Sequence, residues 1–372
     1  MTNGIDNQLD PIPSEEFCEV RAAADGKPAG VRFLAFNTVV DVEAYDEADA
    51  CTAAFEEARE LCRTYERLFS RTLPHSDIAR LNAAGGTPVE IDPLTFDVLQ
   101  AGLRYCAESE GAFDITVGPA VRLWNFHEGT VPDADELARA VAHVDWRGLK
   151  LWKSTEADPV RQCPGGASHL QGPSSRECAD SLLGDETPLR GTVSRGAVSP
   201  ACFAQLEDPA AAVDVGGIAK GWIADALLAA MEVRGLSGII VNLGGNVAVS
   251  GTKPDGSPWR VGIRNPQAPE QLIGAVPLTR GSAVTSGTYE RCFTAPDGTF
   301  YHHILDPRTG MPADTDVAGV TVICERSLDA EGFSTTLLAL GLERGCALVQ
   351  RHPEIAQAFF IDGHGTITPA RH

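Results

Sequence analysis

Asp214 to Trp222, DVGGIAKGW, sets two adjacent glycines and a lysine at the head of an apolar helical pattern. Gly216 and Gly217 remove Cβ atoms where a backbone would have to approach a phosphorylated ligand, and a helix opening just after them offers unpaired N–H groups to an anion. Lys220 adds a positive charge. The same residues alone would also serve a tight strand-to-helix turn with a solvated lysine. About ninety residues further on, HHILDPRTG at 302–310 supplies titratable groups. His303, with a reference pKa of about 6.5, can accept a proton at neutral pH, while Asp306 can either orient it or cap the DPRTG turn. Adjacent histidines in a strand point to opposite faces, so at most one of His302 and His303 faces a site.

In LDAEGFSTTLLALG, Glu331 and Thr335 are four residues apart, which on a helix puts both oxygens on one face, within reach of one hard cation. The alternative is a helix-start acid favoured by the macrodipole and a hydroxyl bonded back to its own helix. Asp329 is a nearby substitute ligand. GAFDITVGPAVRLWNF, from Gly111 to Phe126, reads as a short extended segment in which Asp114 either caps a turn or contacts a ligand. NLGGN, Asn242 to Asn246, interrupts a β run with two glycines, as a bulge or a close backbone approach does.

Together these strings resemble the ApbE family of flavin transferases, over roughly Phe33 to Gly341. The resemblance implies an α+β, ApbE-type (T-fold-like) fold of antiparallel sheets and long helices, with FAD as substrate and Mg²⁺ as metal. It places Ala112, Phe113, Asp114, Gly216, Trp222, Gly244, Gly245 and His303 at the flavin nucleotide. The carbonyl of Ala219, with Glu331 and Thr335, is the implied magnesium site. Three cofactor-region positions depart from the family: Phe36 opens Phe-Asn-Thr where Met-Gly-Thr is common, Thr72 stands where a flavin-contacting Tyr is frequent, and Glu331 replaces Asp. The implied reaction is attack of a Thr or Ser hydroxyl of a target flavoprotein on the FMN-side phosphorus of FAD, releasing AMP. In it Lys220 stabilises charge, and His303, or Asp306 acting through it, takes the proton. The rival reading is a protein that binds FAD without transfer, or an FAD diphosphate hydrolase.

The elements that must position these groups follow from pattern. Phe33 to Tyr45 reads as one long strand. Cys51, Phe55, Ala58, Cys62, Tyr65 and Phe69 step by four and three along a helix. Asp92 and Pro93 open a second helix stopped by Gly111, another starts in PDADELARAV, and a fourth runs from Ala219 to about Arg234. The second half is strand-rich, with FYHHILDP among the runs, and a helix after VTVIC ends at Gly341, followed by a shorter one over 344–351. Residues 1–30 read as a polar leader, expected to be disordered, and 31–372 as one domain carrying a surface insertion at about 154–196. Inside it, Cys163, His169 and Cys178 match no zinc spacing.

With 372 residues, 43% hydrophobic and 22% charged, the chain can bury a substantial core. Its 30 basic and 51 acidic residues give a net charge of −21, which disfavours nucleic acid and anionic membranes as partners. An anionic nucleotide bound here therefore needs local positive charge or a metal. The N-terminus lacks the pattern of a secretory signal and no stretch is long enough to span a membrane, so a cytoplasmic location is expected. The ten cysteines are then expected as thiols.

Overall fold

The run Phe33 to Tyr45 folds as a hairpin and not as one strand: Ala29–Ala35 (β2) pairs with Thr38–Ala44 (β3) from Ala35↔Thr38 to Ala29↔Ala44. Phe36 and Asn37 form the two-residue turn, with φ of 54° and 56°. These observations come from a computed structural model that describes residues 17–24, 26–154 and 200–372. Cys18–Arg21 (β1), within the stretch expected to be disordered, pairs with β2 from Cys18↔Phe33 to Arg21↔Gly30. Order thus begins well before residue 31. The insertion, with Cys163, His169 and Cys178, lies outside the described residues apart from Ser154.

Six further strands build on these three: Ile239–Leu243 (β7), Asn246–Ser250 (β8), Arg280–Gly287 (β11), Gly319–Cys324 (β14), Ile355–Ile361 (β15) and Ile367–Ala370 (β16) join β1 to β3 in a nine-stranded sheet ordered β1-β2-β3-β7-β8-β11-β14-β15-β16, and every neighbouring pair is antiparallel.

 The remaining strands form smaller sheets. Val89–Ile91 (β4), Cys202–Leu206 (β6) and Leu149–Lys153 (β5) make a three-stranded one, while Trp259–Asn265 (β9) pairs with Ala268–Leu278 (β10), and Cys292–Thr294 (β12) with Phe300–His302 (β13). FYHHILDP is therefore a strand only as far as His302. Beyond it the chain leaves the ladder.

Among the described residues seven α-helices accompany these sheets: Ala48–Phe69 (α1), Asp77–Ala83 (α2), Pro93–Glu108 (α3), Gly118–Val121 (α4), Ala134–Val141 (α5), Ala219–Val233 (α6) and Ser327–Val349 (α7). The apolar stripe of α1 is buried as its spacing predicts, with Cys51, Phe55, Ala58, Cys62, Tyr65 and Phe69 all in the core. Asp92 caps α3 by accepting a hydrogen bond from Leu94 N at 2.8 Å. At Gly341, φ 74°, α7 breaks and restarts, so the predicted stop and the shorter helix after it are parts of one interrupted element. The α+β reading holds.

Helices α1, α6 and α7 cover one face of the large sheet, where Phe33, Val42, Val241, Val322, Phe333 and Phe360 meet Ile223 and Leu227. The β9–β10 hairpin covers the other face through Trp259, Val261 and Ile263 against Val249, Ala283 and Ile323. Strand β14, covered on both sides, is buried at all six positions. At about 1.5–3 kcal/mol for each large apolar side chain removed from water, these two layers fix the sheet against its helices. Helix α6 packs tightly on α7 at Gly221, where a Cβ would sit 2.6 Å from Ser327 O. The Asp225 carboxylate on α6 accepts from Ser327 N at 2.7 Å and Leu328 N at 2.9 Å, capping α7 from a neighbouring helix. Burial raises the Asp225 carboxyl to about 6, against the pull of those two bonds.

Candidate active site

Two hairpin tips meet at one end of the sheet. Gly244 and Gly245 connect β7 to β8 with φ of 60° and 99°, a two-residue turn of the handedness that suits twisted strands. NLGGN is thus a hairpin turn and not a bulge. Gly244 N donates to Val39 O at 3.2 Å beside the Phe36–Asn37 turn, and a Cβ on residue 244 would lie 2.2 Å from Thr38 Oγ1. Only glycine lets the tips touch.

Lys220 projects from the first turn of α6. Its Nζ forms an ion pair with Glu331 Oε1 on α7 and lies 3.4 Å from Gly216 O. The other carboxylate oxygen, Glu331 Oε2, accepts from Asn246 Nδ2 at the start of β8. Asn246 is held in that orientation because Ser327 Oγ donates to its Oδ1 at 2.7 Å, with Ser282 Oγ 3.0 Å behind Ser327 Oγ. Glu331 is only 4% exposed, and a bare carboxylate at such depth is costly; here each oxygen has a partner. One turn on, Thr335 Oγ1 lies 3.3 Å from Ser286 Oγ, which is itself 2.9 Å from Ser334 Oγ. Ala219 precedes Lys220 directly and is buried. The donor set of Glu331, Thr335 and the Ala219 carbonyl is all oxygen, the chemistry a hard divalent cation requires.

His303 enters from the loop after β13, its N–H donating to Arg291 O at 3.0 Å. Its Nδ1 is buried with no hydrogen-bond partner among the described residues. Burial, and then the positive charge of Arg291, the neighbouring His302 and Lys220, bring its pKa down to about 4. The imidazole is therefore neutral at pH 7 and able to accept a proton. His302 is buried separately, at 6% exposure.

Two groups were not singled out from sequence. Asn246 closed the NLGGN string without a role. Glu290, in the run SGTYERCF, has Oε1 3.9 Å from Arg264 Nη1 and 3.8 Å from where a Cβ on Gly245 would lie. Burial raises its carboxyl above the ordinary range, opposed by Arg264, Lys220 and Arg291 and reinforced by Glu331.

Other expected site residues sit differently. Asp306 accepts from Arg308 N and Nε at 2.9 and 3.0 Å through Oδ1 and from Arg308 Nη2 at 2.9 Å through Oδ2. Burial alone would raise its carboxyl, but these bonds hold it below the usual range. Asp306 caps the DPRTG turn and makes no hydrogen bond to His303, contrary to the expectation that it acts through that histidine. Asp329 accepts from Tyr105 Oη at 2.6 Å and Arg104 Nη1 at 3.2 Å, so it is committed away from Glu331. Asp114 accepts from Thr116 N and Oγ1, both at 2.7 Å, and from Trp146 N at 3.2 Å, while burial raises its carboxyl. Gly111 to Phe126 is thus a series of turns leading into α4, where an extended segment was expected.

Phe113 is buried beside Gly217, and Ala112 precedes it in a turn closed onto Ser109 O at 3.1 Å. Trp222 is 6% exposed, its ring edge-on to Tyr65 and Phe69 at 5.1 and 5.5 Å. Phe36 N donates to Glu66 Oε1 at 3.0 Å, and exposed Thr72 keeps its hydroxyl 3.2 Å from Ser70 Oγ. Gly216 N donates to Asp214 Oδ1 at 2.8 Å, and Asp214 Oδ2 is paired with Arg71 at 3.1 Å, which ties the Thr72 loop to the glycine turn. A separate trio, Glu108, His352 and Glu354, gathers ligand atoms within 4.8 Å, but Arg104 already binds both of its acids.

Glycine turns, an acid–lysine pair and a histidine with a buried ring nitrogen thus gather at one sheet end of an α+β domain, and comparison with known proteins gives that domain its class, a flavin transferase. The ApbE family profile matches residues 36–360. The FAD:protein FMN transferase of Treponema pallidum is 34% identical over 342 residues, covering 88% of this chain and 83% of its own. That of Klebsiella pneumoniae is 32% identical, covering 81% and 79%. Among solved structures, the ApbE protein of Thermotoga maritima superposes with a TM-score of 0.73 at 25% identity, over 92% of this chain and 97% of its own. The chain belongs to the ApbE family. Among the described residues no helix is long and apolar enough to cross a membrane, and the eight cysteines there carry free thiols.

Proposed function

We propose that this protein transfers FMN from FAD to a Thr or Ser hydroxyl in a loop of a target flavoprotein, releasing AMP. The hydroxyl oxygen forms a bond to the FMN-side phosphorus, the bond from that phosphorus to the AMP oxygen breaks, and the hydroxyl proton passes to a base. The observation that carries this reading is the grouping of Lys220, Glu331 and His303 at the sheet end beside the Gly244–Gly245 turn. The positive charge of Lys220 suits a diphosphate in a protein whose net charge is −21.

Magnesium, when bound, supplies charge neutralisation for the diphosphate and its leaving group. Glu331, Thr335 and the Ala219 carbonyl are the residues that would hold it. Lys220 adds a monovalent charge beside Gly216, and neutral His303 takes the acceptor's proton through a nitrogen that no group among the described residues occupies. Phe36, Thr72, Ala112, Phe113, Asp114, Trp222 and the glycine turns form the proposed nucleotide surroundings, with Phe36 lending an apolar face that Thr72 cannot. Free thiols support a cytoplasmic setting, where the acceptor flavoprotein would reside.

Incubation with FAD and Mg²⁺, with and without a candidate acceptor flavoprotein, tests the reading through AMP release. Release that requires the acceptor is the expected result. Release without acceptor would make the protein a diphosphate hydrolase, and none under either condition would leave a binding protein.

A further inference from the structure

Glu331 is buried, yet without a metal it is not a bare anion, because Lys220 Nζ occupies Oε1 while Asn246 Nδ2 occupies Oε2. Lys220 is less deeply held. Its side chain is 28% exposed against 5% for Glu331, and its other hydrogen bond among the described residues is to the Gly216 carbonyl at 3.4 Å. Asn246 is locked behind by Ser327 and is 1% exposed, so of the two partners only the lysine has room to leave. It also has somewhere to go, since its stem rises from the α6 turn that follows Gly216 and Gly217.

We propose that Lys220 is a resident cation that holds the place of the divalent metal at Glu331, and that metal binding displaces its ammonium toward the phosphate of the bound nucleotide. This rests on the transfer reading above and adds an ordering of charge to it. Two cations cannot share one carboxylate oxygen without strong repulsion, so the divalent ion must drive off the monovalent one. The freed ammonium then gains its best partner in an anionic diphosphate. Metal and FAD bind with positive coupling as a result, each weaker alone than with the other.

The test uses the full chain and Mn²⁺ as the metal probe, titrated by the electron-spin signal of the free ion and by the rise in melting temperature it causes. Lys220→Met and, as a second variant that keeps a polar tip, Lys220→Gln should bind Mn²⁺ about tenfold or more tightly than the parent in the absence of FAD, since the competing charge is gone. Their affinity for FAD in the presence of Mn²⁺ should fall by about tenfold or more. A lysine with a merely structural role would weaken both. Equal or weaker Mn²⁺ binding in both lysine variants, with Glu331→Gln abolishing it, would overturn the exchange while leaving the metal site in place. Mn²⁺ binding unchanged in Glu331→Gln would remove the metal site itself, and the exchange with it.

Discussion

Lys220 and Glu331, 111 residues apart in sequence, form an ion pair between α6 and α7 beside their tight contact at Gly221. The pair joins the glycine turn, proposed above to meet phosphate, to the helix face that carries Glu331 and Thr335, the proposed metal ligands. Gly221 permits the contact, and Asp225 fixes the start of α7 so that Glu331 arrives in register.

The pair decides how Glu331 should be tested. Glu331→Gln keeps the volume and a hydrogen-bonding tip, so magnesium-dependent transfer should be abolished with a melting temperature close to the parent's. Glu331→Ala also leaves Lys220 and Asn246 facing an uncompensated gap, and should lose about 1–3 kcal/mol of stability. Melting curves beside turnover at limiting magnesium check both. Parent-level turnover in Glu331→Gln would take the residue out of the site.

Asn246 holds the Glu331 carboxylate through its Oε2. Asn246→Ala should weaken Mn²⁺ binding by about 10–100-fold, the usual cost of removing a group that orients a metal ligand. Transfer at saturating metal should recover much of the parent rate. Loss that persists at any metal concentration would mean that Asn246 acts on the reaction more directly.

At His303 the lowered pKa makes two expectations. Its folded value of about 4 lies below the unfolded value of about 6.5, so the unfolded chain binds the proton more readily. The stability this group contributes is full above about pH 6.5 and is lost as pH falls through that value toward 4. Urea unfolding across this window should therefore have a shallower pH slope in His303→Gln than in the parent. As proton acceptor, His303→Ala should slow transfer by about 10²–10⁴ with little change in FAD affinity. A drop in affinity alone would assign it to nucleotide contact.

Between β5 and β6, Ser154 N donates to Ala201 O at 2.8 Å and Ala201 N to Ser154 Oγ at 2.9 Å, closing a hairpin whose connection is the long insertion. Joining Thr155 to Arg195 through a short Gly and Ser linker should preserve the melting temperature and FAD binding, because the strand pairing on either side does not depend on the length between. A fall of more than a few degrees would show that the segment packs on the domain.

What sequence made legible was what local geometry determines. The spacing of Glu331 and Thr335 put both on one helix face, Asp92 announced its cap, and Gly341 marked the break in α7. The Phe36–Asn37 turn escaped notice because positive φ there is carried by a bulky residue and an asparagine, not by glycine, so the apolar run looks continuous. NLGGN gave the interruption but not its type, which depends on β7 and β8 pairing back on each other. The partners of Glu331, the capping of α7 by Asp225 and the commitment of Asp329 to Tyr105 join residues far apart in the chain. Periodicity carries no information about such pairs.

The most direct measurement is the intact mass of an acceptor flavoprotein after incubation with this protein, FAD and Mg²⁺. The account predicts that the acceptor gains one covalently bound FMN, that AMP appears in equal amount, and that replacing the acceptor's loop Thr or Ser by Ala removes both. An acceptor of unchanged mass, with AMP and free FMN accumulating at the same rate whether or not it is present, would contradict it.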